Sequence, residues 1–192
     1  MQTQNGGGGY DFLSAPSVWE QPNRPRVMVA WIEAMAYCAW LTNRFKLNGV
    51  IGDKEEVRLP TEYEWEKSAR GVDGLNFPWG DKYECGSANI NESFDGKGTL
   101  SLGETVAVGF YLKNVSPYGL FDCSGNVWEW CINSYDDPED VSVGSPSLRA
   151  LRGGSFMEHQ INVRTTSRNK HGFVNSFSDR GFRLVLSEKK RS

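Results

Sequence analysis

The feature that most constrains the fold is a long stretch without helical periodicity. From Gly71 to Phe182, glycine, asparagine, aspartate, proline and serine interrupt short aromatic and apolar runs, and these residues favour turns over long regular elements. Seven tryptophans and 12% aromatic residues in a chain of 192 supply enough apolar surface for a core. The sequence therefore predicts a globular domain that is rich in loops.

Two helices are predicted ahead of this stretch. The first is rich in alanine and aromatic residues and reaches Phe45. Its apolar residues cover so much of its circumference that we expect burial on most sides. Thr61 and Glu64 form a capping box before a second helix over about residues 62 to 70, which Gly71 ends.

Within the irregular stretch, three brief segments are rich in β-branched or aromatic residues, which favours strands. They are residues 126–132, 148–151 and 181–186. Two helices ahead of a small irregular antiparallel sheet with extensive loops indicate an α+β domain. Five tryptophans are predicted to lie in the core: Trp40, Trp65, Trp79, Trp128 and Trp130.

The charge balance argues against some classes of partner. Lysine and arginine number 21 against 24 aspartates and glutamates, so the formal charge is -3 and no general attraction to nucleic acid or anionic membranes is expected. No apolar run approaches the roughly eighteen residues of a membrane span, and the first residues lack the pattern of a secretion signal. We expect a soluble chain, with cytoplasm and surface display both open as destinations and the oligomeric state undetermined.

Cysteines and histidines restrict the metal chemistry. The four cysteines form no C-x-x-C pair, and three lie in apolar or aromatic surroundings, which predicts buried thiols, with a disulfide as the less favoured alternative. Two histidines are too few for a zinc site built on several imidazoles. Any metal should therefore be bound by oxygen atoms.

We divide the chain into three parts. Residues 1–25 are a flexible leader and entry segment with four consecutive glycines, residues 26–186 form the domain, and residues 187–192 are a polar tail. Seven motifs occur in order within the domain. They are residues 27–38, 58–66, 77–80, 118–122, 125–130, 152–156 and 181–183.

Together these motifs resemble the formylglycine-generating-enzyme (FGE) sulfatase domain family, which implies a C-type-lectin-type fold. The chain reads as a version shortened at the amino terminus. In the enzymes of this family, two cysteines after the Arg-Gly-Gly-Ser motif bind copper, and a thiolate is both the reactive form and the soft ligand that Cu(I) prefers. The corresponding positions here are Glu158 and Val163, so we expect no formylglycine formation.

The resemblance also implies a calcium site. Its ligands would be the side chains of Asp122 and Glu129 and the carbonyls of Gly125 and Val127. Carboxylate and carbonyl oxygens suit calcium, but a carboxylate between two tryptophans can equally pair with an arginine. No cofactor is otherwise required.

A subfamily that this pattern resembles is the variable proteins of diversity-generating retroelements, whose diversified positions lie between Arg-Gly-Gly-Ser and Gly-Phe-Arg. Every residue from 171 to 179 belongs to the set reached by adenine-directed mutation of asparagine codons, whereas Met157 and Lys170 do not. Arg164, Arg168 and Arg183 are interpreted as framework. The predicted ligand-binding residues are Met157, His159, Asn162, Ser167, Asn169, His171, Phe173, Val174, Asn175, Ser176, Phe177, Ser178 and Asp179.

The leading hypothesis is a non-catalytic, receptor-like protein that displays a variable face to a protein ligand. A face that mixes aromatic, histidine, asparagine and serine side chains is typical of adaptable protein-binding surfaces. Two alternatives stay open: an FGE-related enzyme of oxidative or modifying activity, and a catalytically inert interaction domain. The lectin-type fold alone does not predict carbohydrate binding.

Overall fold

The structure, a computed structural model, describes residues 21–94, 96 and 98–189. The predicted leader up to residue 20 and the predicted tail from residue 190 lie outside these residues. The elements in chain order are α1 (Trp31–Leu47), β1 (Glu55–Arg58), α2 (Glu62–Arg70), β2 (Trp128–Ser134), β3 (Arg149–Arg152), a 3-10 turn (Gln160–Val163), β4 (Arg168–His171), β5 (Arg180–Gly181) and β6 (Val185–Glu188). The last strand, β6, extends to Glu188 and so ends after Leu186, the predicted end of the domain.

The strands form two small sheets. Four of them lie in the order β4-β3-β2-β5, in which β3 is antiparallel to both β2 and β4, and β5 runs parallel to β2. The other two, β1 and β6, form an antiparallel pair. The α+β class is confirmed, but the larger sheet is mixed, because the chain crosses over from β4 before β5 joins the far side of β2.

The second helix forms as its local signals predict. The Thr61 side chain accepts a hydrogen bond from the Glu64 backbone N–H at 3.2 Å, and the Glu64 carboxylate accepts one from the Thr61 N–H at 2.8 Å. Gly71 follows with a φ of 68°, a conformation that glycine adopts without steric cost. The start of α2 therefore depends on hydrogen bonds between residues three positions apart, and its end depends on the single glycine that follows it.

Helix α1 is buried on one side only, so the prediction of burial on most sides is wrong. Trp31, Ala34 and Cys38 enter the core, whereas Ile32 and Trp40 are 46% and 45% exposed. The helix packs on the aromatic core and on β1. The apolar residues of α1 occupy more of the helix surface than the core and β1 cover, so some of them stay exposed.

Tryptophans dominate the core, although not all those predicted. Trp65, Trp128 and Trp130 are buried, and so is Trp31. Trp40 is exposed, which is a correction, and Trp79 is half-buried and stacks on Phe77 with ring centroids 5.3 Å apart. Buried tryptophans still satisfy their polar atoms: the Trp31 and Trp130 indoles each donate to a backbone carbonyl at 2.9 Å.

Cys38, Cys123 and Cys131 are buried thiols, as predicted, whereas the prediction of burial is wrong for Cys85. Burial raises the pKa of Cys38 and Cys123 to about 12, which makes these thiols unreactive at neutral pH. Cys85 is exposed. None of the helices within the described ranges has the length and apolar character needed to cross a lipid bilayer.

Candidate ligand-binding face

The segment that the sequence singles out begins and ends beside one residue. Glu129 in β2 is the register partner of Arg152 in β3 on one side and of Gly181 in β5 on the other. Residues 153 to 180 therefore begin and end next to the same buried position, and between these ends they form the edge strand β4. The two ends and β4 are held by strand pairing, while the loops between them can differ without changing the sheet.

A tight glycine turn starts the segment. The Gly153 carbonyl accepts a hydrogen bond from the Gly125 N–H at 2.8 Å, and Gly154 has a φ of 76°. A Cβ atom on Gly154 would lie 2.4 Å from Val163 Cγ1 and 2.9 Å from the Asn162 carbonyl oxygen. The absence of a side chain at Gly154 lets the 3-10 turn pack directly on the start of the segment.

A cavity of about 470 Å³ lies beside this turn. Its wall on the β2 side is Trp128, whose indole N–H donates to Glu158 Oε1 at 3.2 Å. Asn162 donates to the other carboxylate oxygen of Glu158 at 2.7 Å. The remaining lining comes from the 3-10 turn and the approach to β4: Ile161, Arg164, Thr166, Ser167, Arg168 and Asn169.

The structure brings three of the predicted binding residues together in this cavity, namely Asn162, Ser167 and Asn169. Met157 is nearby in the chain and 54% exposed. His159 is half-buried and stacks on Phe94, with ring centroids 5.2 Å apart. The first half of the predicted set therefore surrounds a concave, mostly polar surface.

The second half of the set forms a loop with a folded underside. Val174 and Asn175 are exposed, and Ser176 and Ser178 are half-buried. The rings of His171 and Phe177 pack edge to face, with their centroids 4.6 Å apart. The Arg180 guanidinium lies 3.7 Å from the centre of the Phe177 ring. Burial, followed by the nearby charge of Arg180, lowers the pKa of His171, so this imidazole is favoured in its neutral form.

Two of the predicted binding residues point into the domain, which corrects their assignment to an exposed face. Phe173 is half-buried and packs against the main core cluster, and its carbonyl accepts a hydrogen bond from the Ile32 N–H at 3.2 Å. Asp179 is 9% exposed and accepts a hydrogen bond from the Ser155 hydroxyl at 3.1 Å. Both side chains hold the loop on the scaffold.

The framework arginines divide in the same way. Arg168 binds the buried Glu62 carboxylate through two nitrogens at 2.8 and 2.7 Å, which joins β4 to α2. Arg183 pairs with Glu129. Arg164 is exposed at the cavity rim and its guanidinium has no ion pair among the described residues, so it does not anchor the framework.

Six residues that line the cavity are not among the predicted binding residues, namely Trp128, Glu158, Ile161, Arg164, Thr166 and Arg168. Trp128 was assigned to the core, where most of its surface does lie, Arg164 was assigned to the framework, and Thr166 was in neither group. Residues 164 to 167 are Arg-Thr-Thr-Ser, polar throughout, so the sequence carried no signal that separates the exposed residues from the buried Thr165. We give the name display face to eight of the exposed or cavity-lining side chains: Met157, Ile161, Asn162, Thr166, Ser167, Asn169, Val174 and Asn175.

The two positions that correspond by resemblance to the catalytic cysteines have different environments. Val163 is fully buried and packs with Phe77, Ala88 and Ile90. Glu158 lines the cavity. The described cavity lining contains no thiol, so the soft ligands that Cu(I) prefers are missing from it.

The residues suggested for calcium do not fit the ion in this arrangement. Both oxygens of the Glu129 carboxylate contact Arg183, and Oε2 also accepts the Trp65 indole N–H at 2.6 Å. Asp122 offers one buried oxygen, Oδ1, without a hydrogen-bond partner among the described residues, and burial raises the pKa of this carboxyl. Calcium takes six to eight oxygen ligands, and here a guanidinium occupies the position facing Glu129. Calcium binding stays a prediction that the geometry does not favour.

Comparisons with known proteins identify the family. The sulfatase-modifying factor enzyme 1-like domain matches residues 3–188, a longer range than the predicted domain. An inactive C-alpha-formylglycine-generating enzyme 2 of Bos taurus is 34% identical over 162 residues, covering 76% of this chain and 45% of that protein. A formylglycine-generating enzyme of Thermomonospora curvata is 30% identical over 192 residues, covering 88% and 57%. The chain thus spans about half the length of the curated relatives it matches.

Among solved structures, Treponema denticola variable protein 1 superposes with a TM-score of 0.69 and 26% sequence identity, covering 93% of this chain and 76% of that one. This likeness and the observed elements confirm the predicted C-type-lectin-type fold. On the match over residues 3–188, the chain belongs to the FGE-sulfatase family, the family of the sulfatase-modifying factor enzyme 1-like domain.

Proposed function

We propose that this chain is a non-catalytic ligand-binding protein that contacts a protein partner through the display face, and that it is a variable protein of a diversity-generating retroelement. The observation that carries the proposal is the likeness to Treponema denticola variable protein 1 over 93% of this chain. The display face lies in the segment whose two ends are paired on either side of Glu129. A scaffold of this kind tolerates changes in side chains on its surface.

The chemistry of the display face supports a protein as the ligand. Met157, Ile161 and Val174 are 54%, 50% and 65% exposed, and they alternate with asparagine, serine and threonine side chains. Exposed apolar groups among small polar ones are typical of protein-binding surfaces.

An FGE-related enzyme is the second candidate, favoured by the 30% identity to the formylglycine-generating enzyme of Thermomonospora curvata. Glu158 and the buried Val163 argue against the copper chemistry of that family, because neither supplies a thiolate. The inactive relative from Bos taurus is compatible with a family member without catalysis. Stoichiometric copper or iron in protein purified from its native host would support the enzyme and contradict our proposal.

The retroelement part of the proposal is tested on DNA. We expect the neighbouring DNA to carry a near-copy of the codons for residues 156 to 183 that differs at adenines, next to a reverse transcriptase gene. Absence of both from the complete genome would contradict diversification. It would leave ligand binding to be judged by the next experiment.

The binding part is tested with matched triple variants. One replaces Met157, Ile161 and Val174 by alanine, and the control replaces Leu47, Val50 and Val72, which are 84%, 62% and 77% exposed and lie outside the display face. A partner recovered by crosslinking in the host should bind the control and wild-type proteins equally. The affinity of the partner for the display-face variant should be at least tenfold lower, since apolar side chains that become buried in an interface carry most of the binding energy. Equal binding to all three proteins would favour an inert domain that uses another surface.

A further inference from the structure

Glu158 is a carboxylate in the cavity that the protein leaves without a charged partner. Its two oxygens accept hydrogen bonds from Trp128 Nε1 at 3.2 Å and from Asn162 Nδ2 at 2.7 Å, and both donors are neutral. Among the described residues it forms no ion pair. A carboxylate has about four acceptor sites, so each oxygen retains capacity for a donor supplied from the cavity.

The basic residues near Glu158 form no ion pair with it among the described residues. Arg168 also lines the cavity, but its guanidinium is bound by the two oxygens of Glu62. Arg180 lies close enough for the charge of Glu158 to act on its pKa, and its Nε and Nη1 atoms are buried without a hydrogen-bond partner among the described residues. It forms no ion pair with Glu158, however: its Nε is 3.8 Å from Asp179 Oδ1, and its guanidinium covers the Phe177 ring. Arg164 lies at the exposed rim, where solvent and salt screen its charge.

The walls beside Glu158 suit a long side chain with a charged end. Trp128 lines one side, and Ile161, which is 50% exposed, lines another. Lysine and arginine pack their aliphatic stems on apolar surface while the charged end is hydrogen-bonded. A cavity of about 470 Å³ has room for one such side chain with some water.

We propose that Glu158 is the anchor for a lysine or arginine side chain of the protein partner, which inserts into the cavity between Trp128 and Ile161. This inference rests on the proposed function and names the group that the display face recognises. An ammonium or guanidinium would donate to the two oxygens of Glu158. The bonds from Trp128 and Asn162 hold the carboxylate in the orientation that receives it.

Three small probes test the inference by nuclear magnetic resonance. They are N-acetyl-lysinamide, its neutral counterpart N-acetyl-norleucinamide, and the anionic N-acetyl-glutamate amide. The reporter is the indole N–H resonance of Trp128, assigned with Trp128→Phe, because this group donates directly to Glu158. We expect saturable shifts with the lysine probe and about tenfold to a hundredfold weaker binding of the neutral probe, as for loss of a charge-assisted hydrogen bond.

Glu158→Gln should weaken binding of the lysine probe by the same factor, since the amide keeps the size of the side chain and removes the charge. Glu139→Gln makes the same change at an exposed glutamate outside the cavity lining, so it is the matched control and should leave that binding unchanged. Equal binding of lysine and norleucine probes to the wild-type protein would overturn the inference without any variant. Preferential binding of the glutamate probe, lost in Arg164→Gln, would overturn it in favour of an anionic ligand.

The outcomes also separate this inference from the proposed function. The display-face triple variant keeps Glu158 but removes the Ile161 wall of the cavity, so a double variant of Met157 and Val174, which lie outside the cavity lining, tests the face alone. If that variant loses the partner while Glu158→Gln keeps full affinity, the proposed function stands and the anchor is wrong. If the probes bind as expected but the triple variant keeps the partner, the proposed function fails although the cation site exists.

Discussion

Arg183 and Glu129 form a two-pronged ion pair inside the domain, with Nη2 of the arginine 2.6 Å from Oε1 of the glutamate and Nε against Oε2. Arg183 Nη2 also donates to the Phe121 carbonyl at 3.1 Å. Glu129 is the β2 residue next to which residues 153–180, here called the display segment, begin and end. The pair therefore fixes the last stretch of the chain to the strand that supports the cavity.

Removing the cation of this pair should destabilise the domain strongly. Arg183→Met leaves the Glu129 carboxylate, whose side chain is 7% exposed, without a counter-charge, and we expect a loss of about 3 kcal/mol or more in the free energy of unfolding. Urea denaturation measures it. The control is Lys113→Met, which breaks an exposed pair with Glu84 at 2.9 Å and should cost under about 1 kcal/mol. Equal effects of the two substitutions would contradict the role of Arg183.

Calcium should not stabilise the wild-type protein. We expect the melting temperature of chelator-treated protein to be the same with and without millimolar calcium, because Arg183 already neutralises Glu129. In Arg183→Met, the carboxylates of Asp122 and Glu129 would face each other without that cation, and calcium should raise the melting temperature. Marked stabilisation of the wild-type protein by calcium would show that the family's calcium site is retained.

The Glu64 carboxylate should make stability depend on pH in the acid range. Its bonds with Arg58, both 2.7 Å, lower its pKa from the ordinary 4.5 to about 2. Because the folded pKa is below the unfolded one, this contribution is complete above about pH 4.5 and is lost as the pH falls towards 2.

Its size should be below about 1 kcal/mol, since the side chain is 44% exposed and solvent screens the pair. Glu64→Gln keeps an acceptor for the helix cap and removes the charge. The difference in unfolding free energy between wild type and variant should therefore shrink as the pH falls from neutral towards 2. A constant difference across this range would contradict the pair as its source.

The glycine turn at the start of the display segment should tolerate no side chain. Gly154 and Gly119 both have positive φ, 76° and 82°, so alanine at either position costs about 1 kcal/mol in backbone strain. A Cβ on Gly119 meets nothing within 4 Å, whereas one on Gly154 would collide with Val163. We expect Gly154→Ala to cost about 2 kcal/mol more than Gly119→Ala in urea denaturation. Equal costs would mean that the 3-10 turn can move away.

Within the loop after β4, the cost of substitution should follow burial. Phe173→Ala should lose about 2 kcal/mol, because this half-buried ring packs on the core and full burial of a phenylalanine is worth more. Val174→Ala, in a side chain that is 65% exposed, should stay within about 0.5 kcal/mol. Phe110→Ala removes the same atoms as Phe173→Ala from a ring that is 66% exposed, so it is the control for the size of the change. A melting series in which Val174 costs more than Phe173 would reverse our assignment of scaffold and face.

Some elements could be predicted because their causes are local. The bounds of α2 follow from Thr61, Glu64 and Gly71, which act within a single turn at each end of the helix. The strand around 126–132 follows from its two tryptophans, its valine and its isoleucine, which favour strands. Residues 148–151 are Leu-Arg-Ala-Leu and contain neither β-branched nor aromatic side chains, so β3 depends on its pairing with β2 and β4. Likewise, β4 contains Arg168, Asn169, Lys170 and His171, and its polar composition gave no strand signal. It forms because β3 offers it hydrogen bonds.

The structure places the predicted binding residues in two different environments. Asn162, Ser167 and Asn169 are brought together around one cavity, although they were chosen only for their position between two motifs. Phe173 and Asp179 were assigned to the same surface but point inward. In an irregular loop no period relates a residue to its direction, so composition alone could not separate these two groups.

The amino-acid sequence by itself determined the family, the second helix and the replacement of two thiol positions by Glu158 and Val163, because motifs, capping residues and residue identities are properties of the chain read in order. Only the tertiary structure decided that Arg183 is the counter-charge of Glu129 and that one side of α1 is exposed. It also decided that Glu158 lies beside Trp128 and forms no ion pair among the described residues. The physical reason is distance along the chain: Glu129 and Arg183 are separated by 54 positions, and contacts of that range form only when the whole core packs.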